Sequence, residues 1–384
     1  MAESYGTQLI AVSLPLFETE ILKFICQRSN SLYNQAIYLV RRNHEMTRPG
    51  LLPNVSYGLL CSELKEEWNY SMLCAQAAQQ TLKSVNEAFQ GYKSLMSLWW
   101  DGGLEVEPKQ PLYRKRGGLF PVTYPAAAVT FYLDRTEARI PLGNGVKEEL
   151  GISELLVPCP HGVKIEDIKE VQILPRNGVF YVVYVYKTLG FVADVDSTIA
   201  LGIDPGLSNW LTCVSTEGKS FIVDGHKVKS LNQRYNKQVA TLKKGKDLDY
   251  WDDQLASMTE RRNRQIRDCI NKAARFIINR CLAGRIGTIV FGWNPGNKNS
   301  INIGKKNNQE FVQIPTAKLK ARIAQLCKQY RLQFVETEES YTSKSSFLDN
   351  DFLPIYGEKP EGWKPSGKRG QKGDKQGLRS VSIG

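Results

Sequence analysis

Asp204 has the setting most suggestive of chemistry. It lies in "TIALGIDPGLSNWLTCVSTEG" (198–218), where an apolar run delivers a carboxylate to the end of a strand and Pro205-Gly206 turns the chain back. A strand-end aspartate can hold a hard cation through its oxygens, face a phosphate as in sugar-kinase and actin-like ATPase turns, or cap its own turn. The turn alone leaves all three open, although no adenosine-binding glycine pair follows it. His44, His161 and His226 fall in unrelated elements, with no Ser-His-Asp or Cys-His signature around them. The eight cysteines include no Cys-x-x-Cys pair, so they read as reduced core thiols and give no zinc site.

Charge supplies a second line. Fifty-one Lys and Arg against 39 Asp and Glu give a formal net charge of +12, which favours polyanionic partners. Three clusters carry it. "YRKR" contributes Tyr113, Arg114, Lys115 and Arg116, with Tyr124 downstream. "RRNRQIRDCINKAARFIINR" (261–280) has an apolar stripe of Ile266, Cys269, Ile270, Ala273, Phe276 and Ile277, leaving Arg261, Arg262, Arg264, Arg267, Lys272 and Arg275 mainly outside. "GKKNN" adds Lys305 and Lys306. Any one cluster usually reads as a solvated face, but three together suit phosphate contacts, with Tyr113 and Tyr124 offering faces for base stacking.

These groups need elements to hold them. The chain has room for two or three domains, and its pattern predicts an α+β multidomain fold. Residues 1–16 read as the first strand of a β-barrel. Residues 17–111 read as a helical bundle, with Ala78, Leu82, Val85, Phe89 and Tyr92 on one face of a helix over about 70–97. Residues 112–190 read as the rest of the barrel, including a hairpin at Asn177-Gly178. After a linker at 188–197, residues 198–384 give three short strands (198–204, 209–215, 219–224), helices at 227–246 and 257–282, a strand ending at Gly292, a helix at 315–330 and the strand "LQFVETEES". This order is that of the RNase H-like (RuvC) fold, in which carboxylates on the first strand, the end of the fourth and a late helix hold two divalent metals.

"IALGIDPGLSNWLTCVS", "TIVFGWNPGNKNSINIGKKNNQEFVQIP" and "VETEESYTSKSSFLDNDFLP", in this order, resemble the TnpB (OrfB) family of insertion-sequence proteins. Those are RNA-guided DNA nucleases related to type V CRISPR effectors and long described as transposases. The resemblance covers the region from 198 onward, and the earlier bundle and barrel match the family's recognition and wedge domains in type and order. It implies a transposon-associated RNA-guided DNA endonuclease, with phosphodiester hydrolysis by two Mg²⁺ (or Mn²⁺) ions. The implied partners are a guide RNA from the transposon end and double-stranded target DNA. The implied location is the bacterial cytoplasm, with the nucleoid and without a membrane.

By the same resemblance Asp204 is the first metal ligand. The family's second carboxylate ends the fourth strand, where this chain has Gly292; some members instead use a glutamate just ahead of Thr-Ser-Lys. Glu338 and Glu339 stand there, and Glu339 is favoured. The family's third aspartate lies in an Asn-Ala-Asp segment, and the sequence stops at "SVSIG" before one; Asp349 and Asp351 do not match it. The expectation is a RuvC domain incomplete at its carboxyl end, from a protein that ends early or from a piece of a longer one. The alternative function is a nuclease-deficient RNA-guided DNA-binding protein, or a decayed remnant. Where relatives bind zinc, packing of Phe347, Leu348, Phe352 and Leu353 is expected to hold the loop.

Overall fold

The computed structural model describes residues 4–47, 56–132, 134, 136–188, 190–206, 209–293, 314–342, 345, 350–355, 357–366 and 379–381. The chain divides into two compact units, Tyr5–Thr188 and Leu189–Gly384 with Met1–Ser4.

In the first unit β1 (Ser4–Ala11) leads into α1 (Leu16–Thr47), followed by α2 (Tyr57–Leu64), α3 (Trp68–Ser71) and α4 (Ala75–Trp100). Helical spacing on α1 buries Ile21, Leu22, Ile25 and Leu32, and α4 answers with Ala78, Leu82, Val85, Phe89 and Tyr92. Next come β2 (Val122–Pro125), β3 (Thr130–Tyr132), β4 (Glu137–Pro141), α5 (Asn144–Leu150), β5 (Glu154–Pro158), β6 (Ile168–Arg176) and β7 (Val179–Thr188). Asn177 and Gly178 both take positive φ (48° and 74°), as a two-residue primed turn requires, and join β6 to β7.

The expected barrel is corrected. Among the described residues the strands form two separate sheets, one of order β1-β7-β6-β2 and one of order β3-β4-β5. The break has a local cause: β2 ends at Pro125, which has no N–H to extend the ladder, and a single turn at Ala126–Ala128 redirects the chain into the second sheet. Both sheets share a core with α1 and α4. Tyr184 ties them, its hydroxyl donating to the Pro158 carbonyl at 2.8 Å and its ring packing near Phe131.

The second unit holds β8 (Asp196–Pro205), β9 (Asn209–Ser215), β10 (Ser220–Asp224), α6 (His226–Leu242), α7 (Asp253–Ala283), β11 (Ile286–Gly292), α8 (Thr316–Tyr330), β12 (Gln333–Thr337) and β13 (Arg379–Val381). Its sheet has the order β12-β11-β8-β9-β10-β13. β8, β9 and β10 form an antiparallel meander, while β11 runs parallel to β8, and β12 parallel to β11. The Asp252 side chain caps α7 by accepting from the Leu255 N–H at 2.8 Å. From that start α7 lays Ile266, Cys269, Ile270, Ala273 and Ile277 into a core with Leu201, Ile203, Ile289 and Phe291 of the sheet. The expected linker is partly structured: Phe191 packs on Tyr330, and β8 already begins at Asp196. Among the described residues no helix is long and apolar enough to cross a membrane. All eight cysteines are free thiols, and burial pushes the Cys213 thiol up.

Candidate active site

The register of three parallel strands brings their carboxyl ends level. Ile203 pairs with Phe291, and Gly292 pairs with Thr337. Asp204 therefore ends one outer strand and Glu338-Glu339 follow the other, with β11 between them. The Trp293 N–H donates to the Thr337 carbonyl at 2.8 Å and keeps β11 and β12 together one step further.

The middle strand ends in a residue without a side chain, and that decides the geometry. A Cβ on Gly292 would fall inside the Glu339 carboxyl group, 2.5 Å from its carboxyl carbon and 2.8 Å from its Cγ. Glu339 thus occupies the place that a side chain on β11 would take, and there its carboxyl group hydrogen-bonds to that of Asp204. Glu338 points elsewhere: it is exposed and accepts from the Ser340 hydroxyl. Half-burial is the main reason that the Glu339 carboxyl is pushed up to about 7, with the neighbouring Asp204 charge adding to the effect. Asp204 is also raised by burial, offset in part by its hydrogen bond to Glu339. Two carboxyl groups in contact and half withdrawn from water share a proton, or else require a cation.

Oxygen donors of this kind fit a hard divalent cation. The pair is two carboxylates, and among the described residues no group of three or more His, Cys, Asp or Glu is arranged to hold a metal. Asp351 is occupied elsewhere, accepting from the N–H and hydroxyl of Ser366 at 2.8 and 3.0 Å; Asp349 lies outside the described residues. The expected packing of the following loop is corrected in part. Phe352 is 65% exposed and Leu353 is exposed too; Phe347 and Leu348 lie outside the described residues. Trp363 does the holding, donating its indole N–H to the Phe352 carbonyl at 2.8 Å and meeting Tyr341 edge to face. Phe352 thus contributes its backbone carbonyl while its ring stays exposed.

The basic clusters divide. Lys115 and Arg116 are exposed, on a segment that α1 clamps. Asn34 accepts from the Arg114 N–H at 2.8 Å and donates to its carbonyl at 3.0 Å, Asn30 donates to the Lys115 carbonyl, and Arg41 to that of Pro111. Arg114 lies over Phe120 at 3.8 Å, and Arg41 over Tyr113 at 4.8 Å. Sequence reasoning missed this clamp; the amides on one face of α1 were its only signal. Tyr124 is corrected: at 1% exposure it is a core residue on β2 and has no face for a base. Its alternation with Val122 in the sequence was the available clue. On α7, Arg264 and Arg267 flank the buried Glu260 at 3.7 and 3.3 Å, while Arg261 is exposed. Lys305 and Lys306 lie outside the described residues. His226 contacts Asp224 at the start of α6, and His161 is exposed.

Residues 180–295 match the OrfB_IS605 family, described as probable transposases. No curated protein matches the chain. Among solved structures, a Cas12f1–sgRNA–target DNA complex is similar with a TM-score of 0.58 and 14% identity, over 87% of this chain and 75% of that one. A CRISPR–Cas12f ternary complex is more distant, at a TM-score of 0.33 and 13% identity over 88% of this chain and 75% of that one. At such identities the likeness is one of mixed α+β fold. The matched stretch runs from β7 to the end of β11 and includes both Asp204 and Gly292, so this part of the chain is similar to the OrfB family of probable transposases.

Proposed function

We propose that the chain is an RNA-guided DNA endonuclease of the TnpB type, associated with a transposon and guided by RNA from the transposon end. The observation that carries this reading is the contact of Asp204 with Glu339 across Gly292. The sheet order β12-β11-β8-β9-β10 supports an RNase H-like (RuvC) domain over 198–384, with a recognition bundle over 17–111 and wedge sheets over 1–16 and 112–190. Asp204 and Glu339 would hold Mg²⁺ or Mn²⁺, which supplies Lewis-acid stabilisation of charge on the phosphodiester being hydrolysed. The chain's own part is to keep two carboxyl oxygens at one sheet edge and to give up the proton they share. Lys115 and Arg116, exposed on a clamped segment, would neutralise backbone phosphates of the guide or target. The Cas12f1 relative was captured with sgRNA and target DNA, which supports the same two partners here.

A second reading has its own observation: no third carboxylate joins the pair among the described residues. It makes the chain an RNA-guided DNA-binding protein without cleavage. The test is to co-purify the full chain with RNA from its flanking locus and offer a matched DNA duplex with Mg²⁺, comparing wild type with Asp204→Ala. Cleavage by wild type alone, with RNA-dependent binding by both, is expected. Binding without cleavage by wild type selects the second reading, and no RNA-dependent binding overturns both.

A further inference from the structure

Within the second unit a cleft of about 110 Å³ opens between α6 and α7, lined by Arg234, Tyr235 and Gln238 of one helix and Arg261, Arg262 and Gln265 of the other. Three guanidinium groups border it and no carboxylate does. Arg262 is fixed in place by neutral partners. Its Nε and Nη2 donate to the Asn232 side-chain oxygen at 2.9 and 2.6 Å, its Nη1 to that of Asn263 at 2.9 Å, and its plane lies over the Tyr235 ring. Its position is set while its charge stays uncancelled. Arg234 and Arg261 have no ion-pair partner among the described residues. Converging like charges repel, and an anion in the cleft removes that cost.

The lining also selects the anion. Guanidinium forks and amide N–H groups match a tetrahedral oxyanion that accepts several hydrogen bonds at once. The volume suits one such group and not a nucleoside. Tyr235, the aromatic in the lining, is covered by Arg262 and hydrogen-bonds to Thr259 at 2.9 Å, so it offers no stacking face. We infer that the α6–α7 cleft seats a single phosphate of a nucleic-acid backbone, a contact that positions without reading sequence. This rests on the reading above that the chain binds RNA and DNA.

The test uses the full chain with Arg234→Gln/Arg261→Gln, and fluorescence anisotropy on single-stranded RNA, single-stranded DNA and duplex DNA of one sequence. Salt runs from about 50 to about 200 mM. The variant is expected to bind about tenfold more weakly, with a slope of log affinity against log salt shallower by about one. Arg234→Lys/Arg261→Lys should recover the slope, and the probe most affected identifies the phosphate as RNA or DNA. A control pair on the other unit, Lys147→Gln/Lys164→Gln, removes the same charge and should leave the slope alone. A wild-type slope in the arginine variant, or an equal loss in the control, overturns the cleft while the wider reading stands. Failure of the wild-type chain to bind all three probes overturns that reading and the cleft with it.

Discussion

Glu339 reaches Asp204 only because residue 292 is glycine, and that gives two tests. Glu339→Ala should lower guided cleavage by about a hundredfold or more, since it removes half of the carboxylate pair. Glu339→Ala/Gly292→Glu puts a carboxylate back at the same sheet edge from the neighbouring strand and should restore part of the rate. A double variant no better than Glu339→Ala would show that the strand of origin matters. The raised pKa of Glu339 gives a second prediction, with divalent cations chelated. The folded chain keeps a proton that the unfolded chain releases near the ordinary value of 4.5, and it lets go only near 7. This contribution is therefore complete below pH 4.5 and is lost as pH rises to about 7. The half-exposed carboxyl group limits the effect to about 1 kcal/mol, or about 2–4 °C in Tm. Glu339→Gln should melt above wild type at pH 8 and level with it at pH 4.5; equal melting at both would refute the shift.

At the scale of elements, α1 does more than fill a core. Through Asn30, Asn34 and Arg41 it fixes a segment of residues 111–118 that has no helix or strand of its own. Asn34→Ala breaks two hydrogen bonds to the Arg114 backbone and should cost about 1–2 kcal/mol. The clearer readout is proteolysis: trypsin should cut after Arg114, Lys115 or Arg116 in the variant well before it does so in wild type. Unchanged cutting would mean that the aromatic contacts of Arg114 suffice. α7 shows a similar economy, pointing Arg264 and Arg267 at buried Glu260 on the helix whose other face builds the core.

At the scale of the molecule, two units carry two separate hydrophobic cores. Each should unfold as its own cooperative transition. Leu82→Ala leaves a cavity in the first core and Ile277→Ala one in the second, each costing about 2–5 kcal/mol. Calorimetry should show each variant lowering one transition and sparing the other. A single transition lowered by both would mean that the units unfold together.

How much of this could be read beforehand differs element by element. The helical stripes of α4 and α7, the Asn177-Gly178 turn and the strand that ends at Asp204 were legible because each is a local pattern: a period, a φ requirement or a turn pair. The split of the expected barrel into two sheets was not, since β2 is four residues long and strand pairing is settled by partners distant in sequence. Tyr124 looked available for stacking, yet only the packed sheet decides that its side faces inward. Glu338 and Glu339 are chemically equal in the sequence. The strand register and the bare backbone at Gly292 separate them, leaving one in solvent and bringing the other to Asp204.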